Sequence, residues 1–285
     1  RNFEKEELEW RVRKNVAEYF GTSDALQWQP WVAIKKGLFD GRGGDIVLRY
    51  KFCSDIKSPE CYLVIEDMQK GRVSVNGIEV PVVNNNLAWH WDRSFKKLEI
   101  TEYVKKGENI VDFRVKYDFL TEVESAYVVG DFGVKMVSPY RGEIVQEART
   151  IKTGSLVEQG YPFYNGRMVY KTEFDLNACK KKVYLRLVNP SGILFNLRIN
   201  SRDAGQILWR PYITEITSFV KSGKNRIELE LVTSLQNSWG PLHEKDGDDN
   251  MWVGPNAFEY EILLREEFSL FNYGLGGIEV IIQAQ

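Results

Sequence analysis

The sequence predicts an all-β protein: two tandem jelly-roll β-sandwiches preceded by an N-terminal helix. The expected boundaries are 1–26 for helix and connector, 27–138 for the first sandwich, 139–167 for a linker and 168–285 for the second sandwich. Three observations carry this. The stretch Ile100–Val115 (ITEYVKKGENIVDFRV) recurs as Ile216–Leu231 (ITSFVKSGKNRIELEL). Each copy follows two runs of alternating apolar residues, Cys61–Glu66 and Val73–Val80 in the first, Val183–Leu187 and Phe195–Asp203 in the second. The second run of each pair breaks at Asn76-Gly77 or Asn200-Ser201, and Asn-Gly between alternating apolar residues is a strong hairpin signal.

Taken in order, Asn2–Tyr19 reads as an amphipathic helix with Phe3, Leu8, Val12, Val16 and Tyr19 near helical spacing and Phe20-Gly21-Thr22 as its stop. A connector with Trp28 and Trp31 leads to the turn-rich Asp40–Gly44. In the first copy of the repeat a short helical turn closes at Gly107, a residue free to adopt the left-handed conformation. The strand that follows puts Ile110, Asp112 and Arg114 on one face and Val111, Phe113 and Val115 on the other. Alternation lapses from Val137 to Arg167, the expected linker, which ends in the aromatic turn Gly160–Gly166. It resumes at Met168–Leu176, and Gly277–Ile282 is expected to close the second sheet.

Composition excludes several function classes. A net charge of −2 lacks the basic footprint of a nucleic-acid binder. No apolar run approaches the roughly 18 residues that span a bilayer. The chain opens on Arg1 without a signal-peptide pattern, so the expectation is a soluble piece of a larger protein or a bacterial cytoplasmic chain. Three cysteines cannot make a disulfide framework; Cys53 and Cys61 flank a turn, and the expectation is free thiols. His90 and His243 are the only histidines and fall in different predicted domains, which leaves a nucleophilic triad or multi-histidine metal site without support.

Two loops hold the candidate chemistry. Asn84–Arg93 places Trp89 and Trp91 beside Asp92 and Arg93, a flat apolar surface flanked by hydrogen-bonding groups, as a sugar ring requires. Period-2 spacing puts both tryptophans on one face and His90 on the other. Ser234–Asn256 gathers Trp239, His243 and Trp252 with Asp246, Asp248 and Asp249. Those three aspartates are candidate calcium ligands, although the spacing is not that of an EF-hand and a solvated acidic loop is the commoner explanation of such a run. Adjacent aspartates on a loop also lack the fixed separation of a glycosidase acid/base pair. For the tryptophans, the alternative to sugar contact is packing in the core.

The paired pattern of strand, VNG-type hairpin, IT-x-x-V-K-x-G-x-N turn and strand resembles the galactose-binding-like sandwich domains of glycoside hydrolases, in particular those of family 2 and family 106-like rhamnosidases. Asp92–Ser94, Gly130–Val134, Gly160–Tyr164 and Trp252–Pro255 resemble segments of the same group, and the resemblance covers about Asp45–Ile282. It implies a non-catalytic, carbohydrate-associated region whose partners are a glycan and the catalytic domain of a parent chain, with no cofactor. In such enzymes the catalytic carboxylates lie on a (β/α)₈ barrel, which this pattern cannot build, so no catalytic residue carries over. The alternative function is a purely structural interdomain or subunit-packing module without a ligand.

Overall fold

The computed structural model describes residues 7–22, 34–35, 37, 41–82, 87–118, 120–177, 181–240, 242–245 and 264–283. Of these, 48% lie in strands and 11% in helices, which makes the class all-β. The chain divides into two compact units. Described residues through Gly133, with Tyr140–Glu147, belong to the first; Val134–Pro139, Ala148–Glu244 and the described residues from Phe268 onward belong to the second.

The first unit begins with helix α1 (Glu9–Phe20). Gly21 terminates it at φ 67°, with Thr22 N–H donating to the Ala17 carbonyl at 2.7 Å, the left-handed C-terminal cap that Gly-Thr predicts. Its inner stripe differs from expectation. Trp10 and Ala17 are buried, and Val16 and Phe20 pack on the core, whereas Tyr19 is 56% exposed. A step of about 100° per residue turns Tyr19 away once Phe20 faces inward, stacked on Tyr117 at 5.0 Å. Phe3 lies outside the described residues.

The strands follow as β1 (Gly43–Ser54), β2 (Cys61–Glu66), β3 (Gly71–Val75), β4 (Ile78–Val80), β5 (Trp89–His90), β6 (Asp92–Glu99), β7 (Gly107–Asp118), β8 (Tyr127–Gly130), β9 (Gly133–Ser138) and β10 (Arg141–Val145). Within the first unit one sheet runs β4-β3-β7-β1-β10 and another β5-β6-β2-β8. Leu48, Val73, Val75, Val111 and Phe113 of the first sheet share one core with Leu63, Ile65 and Leu98 of the second. Cys53 and Cys61 stand on strands of different sheets and are free thiols; complete burial pushes the Cys61 thiol up to about 12. Residues 139–167, expected as a linker, include the ordered strand β10, which pairs in parallel with β1.

The second unit takes up β11 (Gly154–Ser155), β12 (Arg167–Leu176), β13 (Val183–Val188), β14 (Leu194–Ile199), β15 (Arg202–Ile207), β16 (Ile213–Glu215), β17 (Gly223–Val232), the one-turn helix α2 (Gln236–Trp239), β18 (Gly274–Leu275) and β19 (Gly277–Ile282). Its sheets run β12-β17-β14-β15, β16-β13-β19 and β11-β18. Phe195, Leu197, Ile199, Ile227, Leu229 and Leu231 of the first meet Val183, Leu185 and Leu187 of the second in a single core.

The repeated sequence makes matching bonds in the two units. Asn76 donates to the Tyr103 carbonyl and to Asn109 Oδ1, both at 2.9 Å; Asn200 donates to the Phe219 carbonyl at 3.0 Å and to Asn225 Oδ1 at 2.9 Å. Asn109 in turn donates to the carbonyls of Lys105 and Gly107, and Asn225 to those of Lys221 and Gly223. Each of this second pair is fully buried and accepts a backbone N–H from Lys105 or Lys221 at 2.9 Å. The hairpin residues Asn76 (φ 52°) and Gly77 (φ 81°), and Asn200 (φ 51°) and Ser201 (φ 66°), are left-handed, as a two-residue turn of the primed type requires. Thr101 and Thr217 complete the set by accepting the N–H of Cys61 and Val183 at 3.2 and 3.0 Å.

Removing the asparagine leaves several buried polar groups unpaired, each costing about 1–3 kcal/mol. Asn109→Ala and Asn225→Ala are therefore each expected to lower unfolding stability by about 2–4 kcal/mol. Urea unfolding checks this, and a loss below about 0.5 kcal/mol, the range of an ordinary surface change, would refute it.

Candidate functional site

In the first unit the candidate residues sit on the β5–β6 hairpin. Trp89 pairs with Lys96, His90 pairs with Asp92, and Trp91 occupies the turn between the strands at φ 61°. That left-handed residue breaks the alternation on which the expected common face depended. Trp89 is 58% exposed, whereas Trp91 is half-buried, edge-on to Tyr127 at 5.2 Å and 4.1 Å from the His90 ring. Asp92 Oδ1 accepts both the backbone N–H and the hydroxyl of Ser94, at 2.8 and 2.7 Å, and the backbone bond holds its carboxyl below the usual range. Arg93 is exposed beside it. Burial, then the positive charge of Lys97, keeps His90 below its ordinary pKa and hence neutral at pH 7.

Carboxyl groups lie close to the Tyr127 side of this hairpin. Burial raises Tyr127, with Glu9 and Glu124 adding to the effect. Glu9 of α1 and Glu124 are hydrogen-bonded to each other and both raised by burial, Glu9 the more strongly. Arg13 binds Glu122 at 3.0 Å and Glu124 at 3.3 Å, and Tyr50 donates to the Glu124 carbonyl at 2.9 Å. Glu66, at the end of β2, is raised to about 7 by burial, then by Glu122 and Glu124, against a hydrogen bond from Ser94. These groups pin α1 to the segment before β8. The local alternation of the sequence carries no signal for them, because α1, β2 and that segment meet only on folding.

The second candidate group is less compact. Trp239 closes α2 and is half-buried, and the neighbouring Asn237 is buried in a reciprocal pair with the backbone of Phe271, 2.8 Å each way. His243 lies 4.9 Å from the Phe268 ring, which meets Phe163 edge-on at 5.0 Å. Trp252, Asp246, Asp248 and Asp249 lie outside the described residues, and the calcium expectation with them. Among the described residues no group of three His, Cys, Asp or Glu side chains could hold a metal ion. No described helix is long and apolar enough to cross a membrane.

A feature the loops did not announce is shared by both units. The chain between the Asn hairpin and the helical turn presents one outward tryptophan in each: Trp89, 58% exposed, and Trp209, 73% exposed. The second unit also carries an open groove of about 440 Å³ on its four-stranded sheet, lined by Val169, Asn196, Arg198, Gln206, Glu228 and Glu230 among others.

No protein-family model matches the chain, and no curated protein matches it. Among solved structures it is similar to a rhamnosidase from Novosphingobium sp. PP1Y, at 16% identity over 86% of this chain and 23% of that one, with a TM-score of 0.34. It is also similar to a Streptomyces avermitilis alpha-L-rhamnosidase complexed with L-rhamnose, at 14% identity over 66% of this chain and 22% of that one, with a TM-score of 0.28. A glycosyl hydrolase family 2 member from Bacteroides cellulosilyticus matches at 13% identity over 67% of this chain and 22% of that one, with a TM-score of 0.23. The chain thus spans less than a quarter of the length of each.

Two outcomes test this geometry. Trp89→Ala is expected to change stability by less than about 0.5 kcal/mol, and Trp91→Ala to cost about 1–3 kcal/mol through its contact with Tyr127. Equal thermal midpoints for the two variants would contradict the assigned environments. For Glu66, a folded pKa of about 7 against 4.5 means that the folded state holds the proton more tightly. Its contribution is full below pH 4.5 and is lost as pH rises through about 7. The wild type is therefore expected to lose more stability between pH 5.5 and 8.5 than Glu66→Gln does; identical pH slopes in calorimetry would rule this out.

Proposed function

We propose that this chain is a non-catalytic, carbohydrate-associated region of a glycoside hydrolase, formed by two tandem jelly-roll sandwiches of the galactose-binding-like kind and working beside a catalytic domain of the parent protein. The observation that carries the reading is the exposed tryptophan at the equivalent connection of each unit, Trp89 and Trp209. An exposed aromatic ring repeated at the same connection of both units offers a flat apolar surface to a partner with an apolar face. Trp89 stands beside the Asp92–Ser94 turn and the exposed Arg93, which supply donors and acceptors for hydroxyls.

The energetics set the scale. Covering about 100 Å² of ring at about 25 cal/mol/Å² gives about 2–3 kcal/mol. A few hydrogen bonds add about 0.5–1.5 kcal/mol each, set against the cost of association. The expected dissociation constant is on the order of 0.1–1 mM. A second reading, structural packing without a ligand, is favoured for Trp91 and Trp239, because both are half-buried. A glycan array followed by calorimetric titration decides between the two. Trp89→Ala and Trp209→Ala are each expected to weaken binding at least about fivefold, the loss of about 1 kcal/mol, without moving the thermal midpoint. Absence of binding to any glycan by the intact chain would refute the carbohydrate reading and leave the structural one.

A further inference from the structure

The outer face of the second unit's four-stranded sheet differs from its counterpart in the first in a way that repeat symmetry does not explain. Strand pairing aligns Val169, Glu230, Asn196 and Gln206 in one row across β12, β17, β14 and β15, and Lys171, Glu228, Arg198 and Asp203 in the next. Their neighbours along the strands, Tyr170, Leu229, Leu231, Leu197 and Ile199, are buried on the opposite face, so the two rows look outward. In the first unit the row equivalent to the second of these is Arg49, Asp112 and Ser74, and it is closed. Arg49 grips Asp112 with two parallel bonds of 2.7 and 2.9 Å, so both oxygens of the carboxylate are taken by an internal partner. At the equivalent place in the second unit Glu228 makes no hydrogen bond or ion pair with any described residue, and Arg198 reaches only the Ser201 carbonyl at 3.3 Å.

The groove is also shaped. Pairing of β14 with β15 slips between Asn196 and Arg198, a bulge centred on Gly205, whose φ is 95° and whose N–H is held by Asp203 at 2.9 Å. Bulges bend an edge strand and re-aim its side chains. Gly205 brings no side chain into the space, and a β-carbon there would meet nothing within 4 Å. Gln206 donates to Asn196 at 2.8 Å and Asn196 donates to Glu230 at 2.7 Å, so a chain of oriented amides runs across three strands. The open groove's volume of about 440 Å³ lies in the range of small-ligand sites, about 300–1,000 Å³.

We infer that this groove is a binding site for a neutral oligosaccharide, held edge-on by hydrogen bonds rather than stacked on an aromatic ring. The inference rests on the carbohydrate reading above and assigns it a second, separate place. Charge selects the occupant. The lining sets Arg198 against Asp203, Glu228 and Glu230, an excess of negative charge that disfavours polyphosphate and polyacid ligands. The described residues offer no cluster able to hold a metal ion. A hydroxyl both donates and accepts, so vicinal hydroxyls can donate to Glu228 while accepting from Arg198 or an amide, as the groove's mixed inventory requires. Val169, 44% exposed on the groove floor, supplies the apolar contact for ring C–H groups.

The test uses the whole chain and a panel of neutral tri- to hexasaccharides, titrated by calorimetry and by NMR of the side-chain amides. In the wild type the NH₂ signals of Asn196 and Gln206 are expected to shift on saturation. Arg198→Ala/Glu228→Ala, which touches only the outer face, is expected to weaken binding at least about tenfold with an unchanged thermal midpoint, and Val169→Trp, which fills the groove, is expected to do the same. Trp89→Ala is expected to leave the Asn196 and Gln206 shifts in place. Saccharide binding that persists in both groove variants and is lost in Trp89→Ala or Trp209→Ala would overturn the groove and leave the carbohydrate reading standing. An intact chain that binds no member of the panel would overturn both.

Discussion

A buried asparagine that closes the turn before the central strand and is bonded to the hairpin asparagine is the constraint on which each unit depends. Asn109 and Asn225 are fully buried, yet their amides close the glycine turn that precedes the central strand and receive the amide of the hairpin asparagine. In a low-dielectric interior such a network is stabilising only when complete, because any unpaired member pays its full desolvation cost. The turn, the hairpin and the strand must therefore form together. Their joint geometry sets the start of β7 and β17, and these strands are paired on both sides, with β1 and β3 in one unit and with β12 and β14 in the other. A slip of one residue in either strand would turn Val111, Phe113 and Val115, or Ile227, Leu229 and Leu231, toward solvent.

With the frame held in this way, the outer surface is free to diverge. The first unit spends its outward charges on itself, through the paired bonds of Arg49 to Asp112, and uses α1 with Arg13 to cover the acidic segment before β8. The second unit spaces its charges along two rows and leaves Glu228 without a partner among the described residues. The same core pattern thus supports one closed face and one open face. Scaffold and site are separable because inward and outward residues alternate along every strand, so an outward change leaves core packing intact.

Half-buried carboxyls give the first unit a chemical property that its net charge conceals. Burial raises Glu9, Glu66 and Glu124; Glu124 adds to the effect at Glu9, Glu122 and Glu124 add to it at Glu66, and Glu122 adds to it at Glu124, with Arg13 opposing it at Glu9 and Glu124. Association of α1 with the sheet is thereby linked to proton uptake, since the cost of desolvating a carboxyl is least when it is protonated. The aromatic hairpin stands on the same neighbourhood through Tyr127, which contacts Trp91 and feels Glu9 and Glu124.

The sequence alone determined what depends on neighbours a few residues apart. The all-β class, the left-handed turns at Asn76-Gly77 and Asn200-Ser201, the helix stop at Gly21, the positive φ of Gly107 and Gly223, and the inward faces of β7 and β17 all follow from local spacing and from which residues tolerate positive φ. The short helix of the first repeat, however, ends at Val104 rather than at Gly107. Tertiary structure decided what depends on burial and pairing between distant segments. Trp89 is exposed and Trp91 is covered because Tyr127, nearly forty residues away, meets only the second ring. Tyr19 faces out because Phe20 finds Tyr117. The groove required the register of four strands before Val169, Glu230, Asn196 and Gln206 became one row, and periodicity along a single strand contains no record of which strand will lie beside it.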